Sequence, residues 1–297
     1  TWLPELGDHI IRNCWKSWIY ILIAVGITAA IPSITYPVVK DMLSEDFASF
    51  WPTGHMLFML MSFIGVFIAH EVRAVVIFMT FMRKHDRKHP TIDVVRRIAS
   101  KGMLRHTPRI LESKDEDVNA GAITSFACGH YIIFTGNIVE LLDERERETV
   151  IAHEIAHLKH ADLAGRLIFN MATTVSYLYM LTFFCIGFLG LMFKVFTPDE
   201  GLQLLKATFI IFALRGMQML CLLGYWRARE YLADVAAVAL TGWDYRFDFI
   251  RALERISSTH ISRLPDWLTY SWPEFLREHP RNKNRAKALR VDVSKIF

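Results

Sequence analysis

Four stretches of this chain run for about 20 residues or more with almost no charge, the length an α-helix needs to cross a bilayer. Ser17–Val39, Phe47–His70 and Leu167–Phe193 contain no Asp, Glu, Lys or Arg, and Ala207–Trp226 contains only Arg215. In hydrocarbon the backbone must satisfy its own hydrogen bonds, so such stretches fold as helices. The alternative is a set of helices in the core of a large soluble protein, but core helices seldom run so far without a charge. We place the spans at about 17–39, 55–80, 167–193 and 205–226. Hydrophobic residues make up 53% of the chain, as a membrane protein requires. A net charge of +4 gives no reason to expect a nucleic-acid partner. Cys14, Cys128, Cys185 and Cys221 form no CxxC pair and read as reduced packing residues. No cleavable signal peptide is expected.

Lys and Arg concentrate on the cytoplasmic side of a membrane. The segment between the first two spans carries Asp41, Glu45 and Asp46, with Lys40 at its edge, and that between the last two is the acidic TPDEG. After the second span comes a basic run of Arg83, Lys84, Arg87, Lys88, Arg96, Arg97, Lys101, Arg105 and Arg109, and after the fourth come Arg227 and Arg229. Both termini and the segment 83–166 are therefore expected to face the cytoplasm. The chain divides into residues 1–82 with two spans, a first cytoplasmic part at 83–166, two spans within 167–226, and a second cytoplasmic part at 227–297. The first cytoplasmic part reads as α+β. TPRILES has the character of a strand, and AGAITSFACGHYIIFTGNIVELL reads as a hairpin turning near Cys128–Gly129.

Asp143 and Glu146 form an acidic capping box, so a helix begins near residue 144. No Pro or Gly interrupts it before Gly165. His153 and His157 lie one turn apart on it, pointing the same way. Two imidazoles so placed can bind one zinc ion, and Glu154 beside the first can take a proton from a metal-bound water: the HExxH arrangement. His160 shares the face, but at 1.5 Å rise per residue it sits about 10 Å from His153 along the axis, beyond the reach of one ion. It is expected on the helix surface or near the membrane boundary. A third ligand must come from elsewhere. RAREYLADVAAVAL (227–240) puts Glu230 and Asp234 one turn apart, either as a zinc ligand with a partner for a histidine's far nitrogen or as a solvated charged face.

HEIAHLKHAD, the placing of two spans before it and two after it, and RAREYLAD together resemble the HtpX-type membrane zinc endopeptidases, relatives of the CAAX prenyl proteases. HPRNKNRAKAL, with His279, Pro280 and Arg285, is similar to the family's C-terminal element, and VNAGAI (118–123) to its Asn-Ala edge strand. The resemblance covers the chain from about residue 80 to the end. It implies a mostly α-helical α+β membrane protein with four transmembrane helices and a cytoplasmic gluzincin-type zinc peptidase domain containing a small β-sheet. It implies one Zn2+ per chain on His153, His157 and Glu230, Glu154 as general base, and Asp234 behind a ligand. His279 and Arg285 are implied at the oxyanion, and Asn119, Ala120 and Gly121 on the substrate backbone. The implied setting is the inner membrane, and the implied substrates are misfolded or membrane-associated proteins and peptides. A CAAX-type prenyl-peptide protease is the alternative, though four spans argue against the larger chamber of those relatives. Trp226 and the AGAI segment depart from the family pattern without touching the ligands; the second bears on substrate preference.

Two other readings compete. A zinc transporter wants ligands at the membrane midplane, whereas these lie at the ends of spans. An inactive membrane scaffold has no use for Glu154. Glu71, Arg73 and Arg215 fall within apolar stretches, where charge is costly. We expect Arg215 to meet the Glu71/Arg73 pair inside the bundle, around a wet cavity; snorkelling of Glu71 and Arg73 to the interface is the alternative.

Overall fold

The computed structural model describes residues 3–40, 51–82, 90–113, 118–160, 162–259 and 279–292. Asp41, Glu45, Asp46, Arg83, Lys84, Arg87 and Lys88 lie outside them. Two compact units emerge, one of Thr1–Ser17, Ala69–Leu163 and Trp226–Phe297, the other of Trp18–Ile68 and Ala164–Tyr225.

The second unit is built from the apolar stretches, which belong to four long helices: α1 (Leu3–Lys40), α2 (Trp51–Met82), α6 (Asp162–Met192) and α7 (Pro198–Thr241). All four are long and apolar enough to cross a membrane. Each is longer than its apolar stretch. The 44 residues of α7 extend about 66 Å, twice a hydrocarbon core. The helix continues well past the apolar stretch that ends at Trp226. Ile31, Val175, Tyr179, Phe183, Leu204 and Ile211 form the unit's core. Leu22, Met61, Phe188 and Phe209 are exposed, the outward apolar surface that lipid covers.

Polar and small residues join the helices, as they do where lipid removes the hydrophobic drive. Gln218 Nε2 donates to Ala24 O at 3.1 Å and Thr28 Oγ1 at 2.7 Å. At Gly165 a Cβ would lie 1.9 Å from Tyr225 Oη and 2.5 Å from its Cζ. Tyr225 is buried with its ring 5.0 Å from that of Phe169, so it has little room to retreat. Gly165→Ala should therefore cost about 1–3 kcal/mol through overpacking, read as a lower Tm in detergent; an unchanged Tm would show that the ring can move.

Arg215 and Glu71 each find partners within their own unit. Arg215 Nη1 donates to Thr173 O at 2.6 Å and its guanidinium lies 5.1 Å from the Tyr177 ring. Glu71 accepts from Ser125 Oγ at 2.8 Å and from the N–H groups of Phe126 and Ala127 at 3.2 and 3.3 Å. Each charge has found a donor or acceptor of its own nearby.

The first unit holds α3 (Ile92–Lys101), a sheet of β1 (Arg109–Ser113), β2 (Asn119–Ser125) and β3 (Gly129–Thr135), α4 (Ile138–Leu141), α5 (Glu144–Lys159), a 3₁₀ turn at Trp243–Tyr245, α8 (Arg246–Thr259) and α9 (Asn282–Ala288). The strand order is β1-β3-β2, with β1 parallel and β2 antiparallel to β3. The hairpin turns at Phe126–Cys128, where Gly129 adopts φ 79°, a left-handed value that suits glycine. This leaves β2 as an edge strand.

The helix α5 is the centre of the unit. Asp143 accepts from Glu146 N at 2.9 Å and Glu146 Oε2 accepts from Asp143 N at 3.0 Å, closing the capping box. Nearly every residue from Glu146 to Leu158 is buried. Ile151 and Ile155 share a core with Val95, Ile98, Ile132 and Ala252, against which Ala120 and Ala122 of β2 also pack. Buried carboxylates at the helix start are matched by arginines: Glu146 to Arg255 at 3.0 Å, Glu148 to Arg97 at 3.0 Å. The helix does not run on to Gly165. It ends at Lys159 with His160 as its C-cap, and α6 starts afresh at Asp162.

Candidate metal centre

The i, i+4 spacing on α5 sets the rings of His153 and His157 edge to face, centroids 4.6 Å apart. Their Nε2 atoms are 3.0 Å from each other. On α7, Glu230 brings Oε2 to 3.5 Å from His153 Nε2 and Oε1 to 3.6 Å from His157 Nε2. One donor atom from each of the three residues lies within 4.8 Å of the others. Zinc–ligand bonds of about 2 Å at tetrahedral angles require donors a little over 3 Å apart, so this triangle fits one small cation.

The far sides of the rings explain why the near sides meet. His157 Nδ1 is 2.6 Å from Asp162 Oδ2, and His153 Nδ1 is 3.1 Å from Asp234 Oδ1, the latter at too oblique an angle for a formed hydrogen bond. Carboxylates there hold the ring proton on Nδ1 and leave an Nε2 lone pair on each ring. Two lone pairs aimed at each other across 3.0 Å repel unless a cation or a proton lies between them. Burial opposes a charge on His153, yet Asp234 and Glu230 outweigh it and push its pKa up to about 10. The pocket's field thus favours positive charge at the point where the Nε2 atoms converge.

Arginines hold the carboxylates. The buried Arg285 grips Asp234 with two bonds, Nε to Oδ2 at 2.8 Å and Nη2 to Oδ1, and its Nη2 is also 3.5 Å from Glu230 Oε2. Burial opposes ionisation of Glu230, but the neighbouring His153 and His279 and the Arg285 charge hold it well below the ordinary carboxylate range. The resemblance implies Arg285 at an oxyanion; here its guanidinium is spent on Asp234. His279 is 71% exposed, with Nδ1 3.3 Å from Glu230 Oε1. Glu154 is buried, and no hydrogen bond to another described residue holds its carboxylate. Asn119 turns its Oδ1 onto the N–H of Ala120 at 2.8 Å. A Cβ at Gly121 would meet nothing within 4 Å, leaving open space beside the edge strand.

Two contributors are absent from the spacing argument. Asp162 reaches His157 only because the helix breaks after Lys159, and the buried Arg229 holds Asp162 Oδ1 while its Nη2 donates to His160 O at 3.0 Å. The acidic residue opening a new helix, after a histidine-ended one, was the available signal. His160 is half-buried rather than on the surface, and burial, then Arg229, lowers its pKa to about 4.

The chain is similar to known proteins over part of its length. A "Protease HtpX homolog 1" from Sulfolobus acidocaldarius is 29% identical over 157 residues, 51% of this chain and 50% of that one. A "Protease HtpX homolog" from Picrophilus torridus is 31% identical over 144 residues, 48% of this chain and 44% of that one. The chain thus spans about half the length of these relatives. The S. mikatae Ste24p crystal structure matches at a TM-score of 0.52 and 18% identity, covering 95% of this chain and 66% of that one, a likeness of fold. The model of peptidase family M48 matches residues 86–292, which contain every residue described at the centre. With so much of its length matched, this chain belongs to peptidase family M48.

Proposed function

We propose that this chain is a membrane-embedded zinc metalloendopeptidase that hydrolyses peptide bonds of misfolded or membrane-associated proteins, in membrane protein quality control. One observation carries the reading: two Nε2 lone pairs 3.0 Å apart and a Glu230 carboxylate 3.5–3.6 Å from them, with Glu154 next in sequence to the first histidine. Two imidazoles and a carboxylate, leaving one position open, are the donor set of catalytic zinc. His153, His157 and Glu230 would hold the ion. Bound there, Zn2+ lowers the pKa of water and polarises a carbonyl.

The chain's own residues do the rest. Glu154, with no hydrogen bond to another described residue to give up, takes the proton from water and passes it to the leaving amine. Asp234 and Asp162 fix the two ring orientations, and Arg285 and Arg229 fix those carboxylates. His279, exposed beside Glu230, faces the reacting carbonyl. The free edge of β2, from Asn119 through Ala120 and Gly121, pairs with an extended substrate and reads little side-chain identity. The Lys/Arg distribution supports peptidase residues and termini on the cytoplasmic face of the inner membrane.

Asp162→Asn should weaken metal binding by about 10–100-fold, because an amide has no charge and only one oxygen for the two donors His157 and Arg229, so the ring of His157 is held less firmly. Competition against a chelator of known affinity measures this; an unchanged affinity would relegate Asp162 to a helix-start role. The function itself is tested by zinc content and casein cleavage. Wild type should bind one zinc and cleave; His153→Ala should do neither. A His153→Ala protein that retains both overturns the proposal. The fold likeness to Ste24p favours one second reading, cleavage of prenylated CAAX-type peptides. A farnesylated peptide cleaved well ahead of casein would select it.

A further inference from the structure

The β2–β3 turn is built for a place without water. Its sequence, Ser125-Phe126-Ala127-Cys128-Gly129, carries no charge. All three amides of the turn proper are bonded to side chains. Phe126 N and Ala127 N donate to Glu71, at 3.2 and 3.3 Å, and Ala127 N and Cys128 N donate to Ser125 Oγ, at 3.1 and 3.0 Å. Surface turns leave such groups to solvent; groups in lipid must find protein partners. At the apex Phe126 is 84% exposed, among the most exposed large apolar side chains described.

What fastens this turn is a helix that crosses the membrane. Glu71 lies within the α2 span, Thr53–Thr80, which continues nine residues past it. Around it His70 Nε2 donates to Thr124 O at 2.9 Å, and Tyr131 Oη donates to Ala74 O at 2.8 Å. The hairpin therefore covers the face of α2 carrying His70, Glu71, Ala74 and Phe78. Other faces of the same turns expose Val72, Val76 and Met79. Arg73, also exposed, is placed to snorkel to headgroups.

We propose that the β2–β3 hairpin tip inserts into the membrane interface, with Phe126 among lipid acyl chains and Glu71 as the latch that holds the turn against α2. The occupant of the exposed Phe126 surface is lipid, because Phe126 N is bonded to Glu71, next in sequence to the exposed Val72 of a membrane-crossing helix. Insertion also starts the β2 edge at the bilayer. This proposal rests on membrane residence and not on the peptidase reading.

Photocrosslinking tests it. Benzoylphenylalanine replaces Phe126, Val72 or Arg96, one at a time, in the full chain reconstituted into phosphatidylcholine–phosphatidylglycerol vesicles carrying a radiolabelled phospholipid. Lipid adducts are expected at Phe126 and Val72 and not at Arg96, an exposed position on α3. Combining the Phe126 probe with Glu71→Gln should cut its lipid adduct several-fold and leave the Val72 adduct unchanged. Adducts at Val72 without any at Phe126 would overturn the proposal, as would a Phe126 adduct to a second copy of the chain in place of lipid. Proteolytic activity enters neither result, so an inactive protein leaves the test intact.

Discussion

Replacing Glu154 by Gln should lower kcat/KM for casein by about 10²–10⁴-fold while zinc content stays at the wild-type level. General-base catalysis by a positioned side chain is worth that range, and Glu154 is the residue whose loss leaves the three converging donors untouched. Glutamine keeps the shape and the burial, so the fold around α5 is preserved, but an amide cannot accept the proton from water. No described residue is hydrogen-bonded to the Glu154 carboxylate, so the substitution strands no donor among the described residues. The comparison with His153→Ala makes the result specific, since that change removes a donor and should lose metal and cleavage together. A Glu154→Gln protein with wild-type cleavage would show that the base lies elsewhere. One with neither zinc nor cleavage would show that Glu154 belongs to the metal-holding set.

Much of this site is legible along the chain because it is local. The capping box at Asp143 and Glu146 sets the start of α5, and the four-residue spacing fixes which way His153 and His157 face. The stretches that form the long helices are equally legible, since few charges interrupt them. What is not local is harder. Periodicity puts Glu230 and Asp234 on one face of a helix but does not say what that face meets; the family resemblance supplied the partner. The break after Lys159 has no Pro or Gly to announce it, so Asp162 passed unnoticed although its contact with His157, at 2.6 Å, is the shorter of the two carboxylate–imidazole contacts. The partners of Arg215 and Glu71 are hidden for a related reason. A charge in an apolar stretch demands a partner, but a Thr173 carbonyl and the amides of a turn serve as well as an opposite charge, and backbone groups leave no mark in a sequence.

The largest stability effect should come from Arg285. It is the buried cation between Asp234 and Glu230, and Asp234 is fully buried. Burial penalises the charged form of Asp234, and the Arg285 charge with its hydrogen bonds more than compensates, holding that pKa below its ordinary value. Arg285→Met keeps most of the volume and removes the cation gripping the buried Asp234, which in buried pairs costs about 3–5 kcal/mol. Denaturant unfolding in detergent should show that loss, and Arg285→Lys, which keeps the charge without the two-pronged grip, should lose less. The sign with pH follows. A depressed carboxylate pKa adds stability that is fully present above the unfolded value and disappears as pH falls through the folded one. Wild type should therefore lose its advantage over Arg285→Met as the solution is acidified below the ordinary carboxylate range. The metal provides a further discrimination. An ion on Glu230 supplies positive charge that partly replaces the guanidinium, so the deficit of Arg285→Met should widen when zinc is stripped by a chelator. Equal stability of wild type and Arg285→Met without metal would mean that water or another cation already reaches Asp234, and the buried pairing would no longer account for the order at this centre.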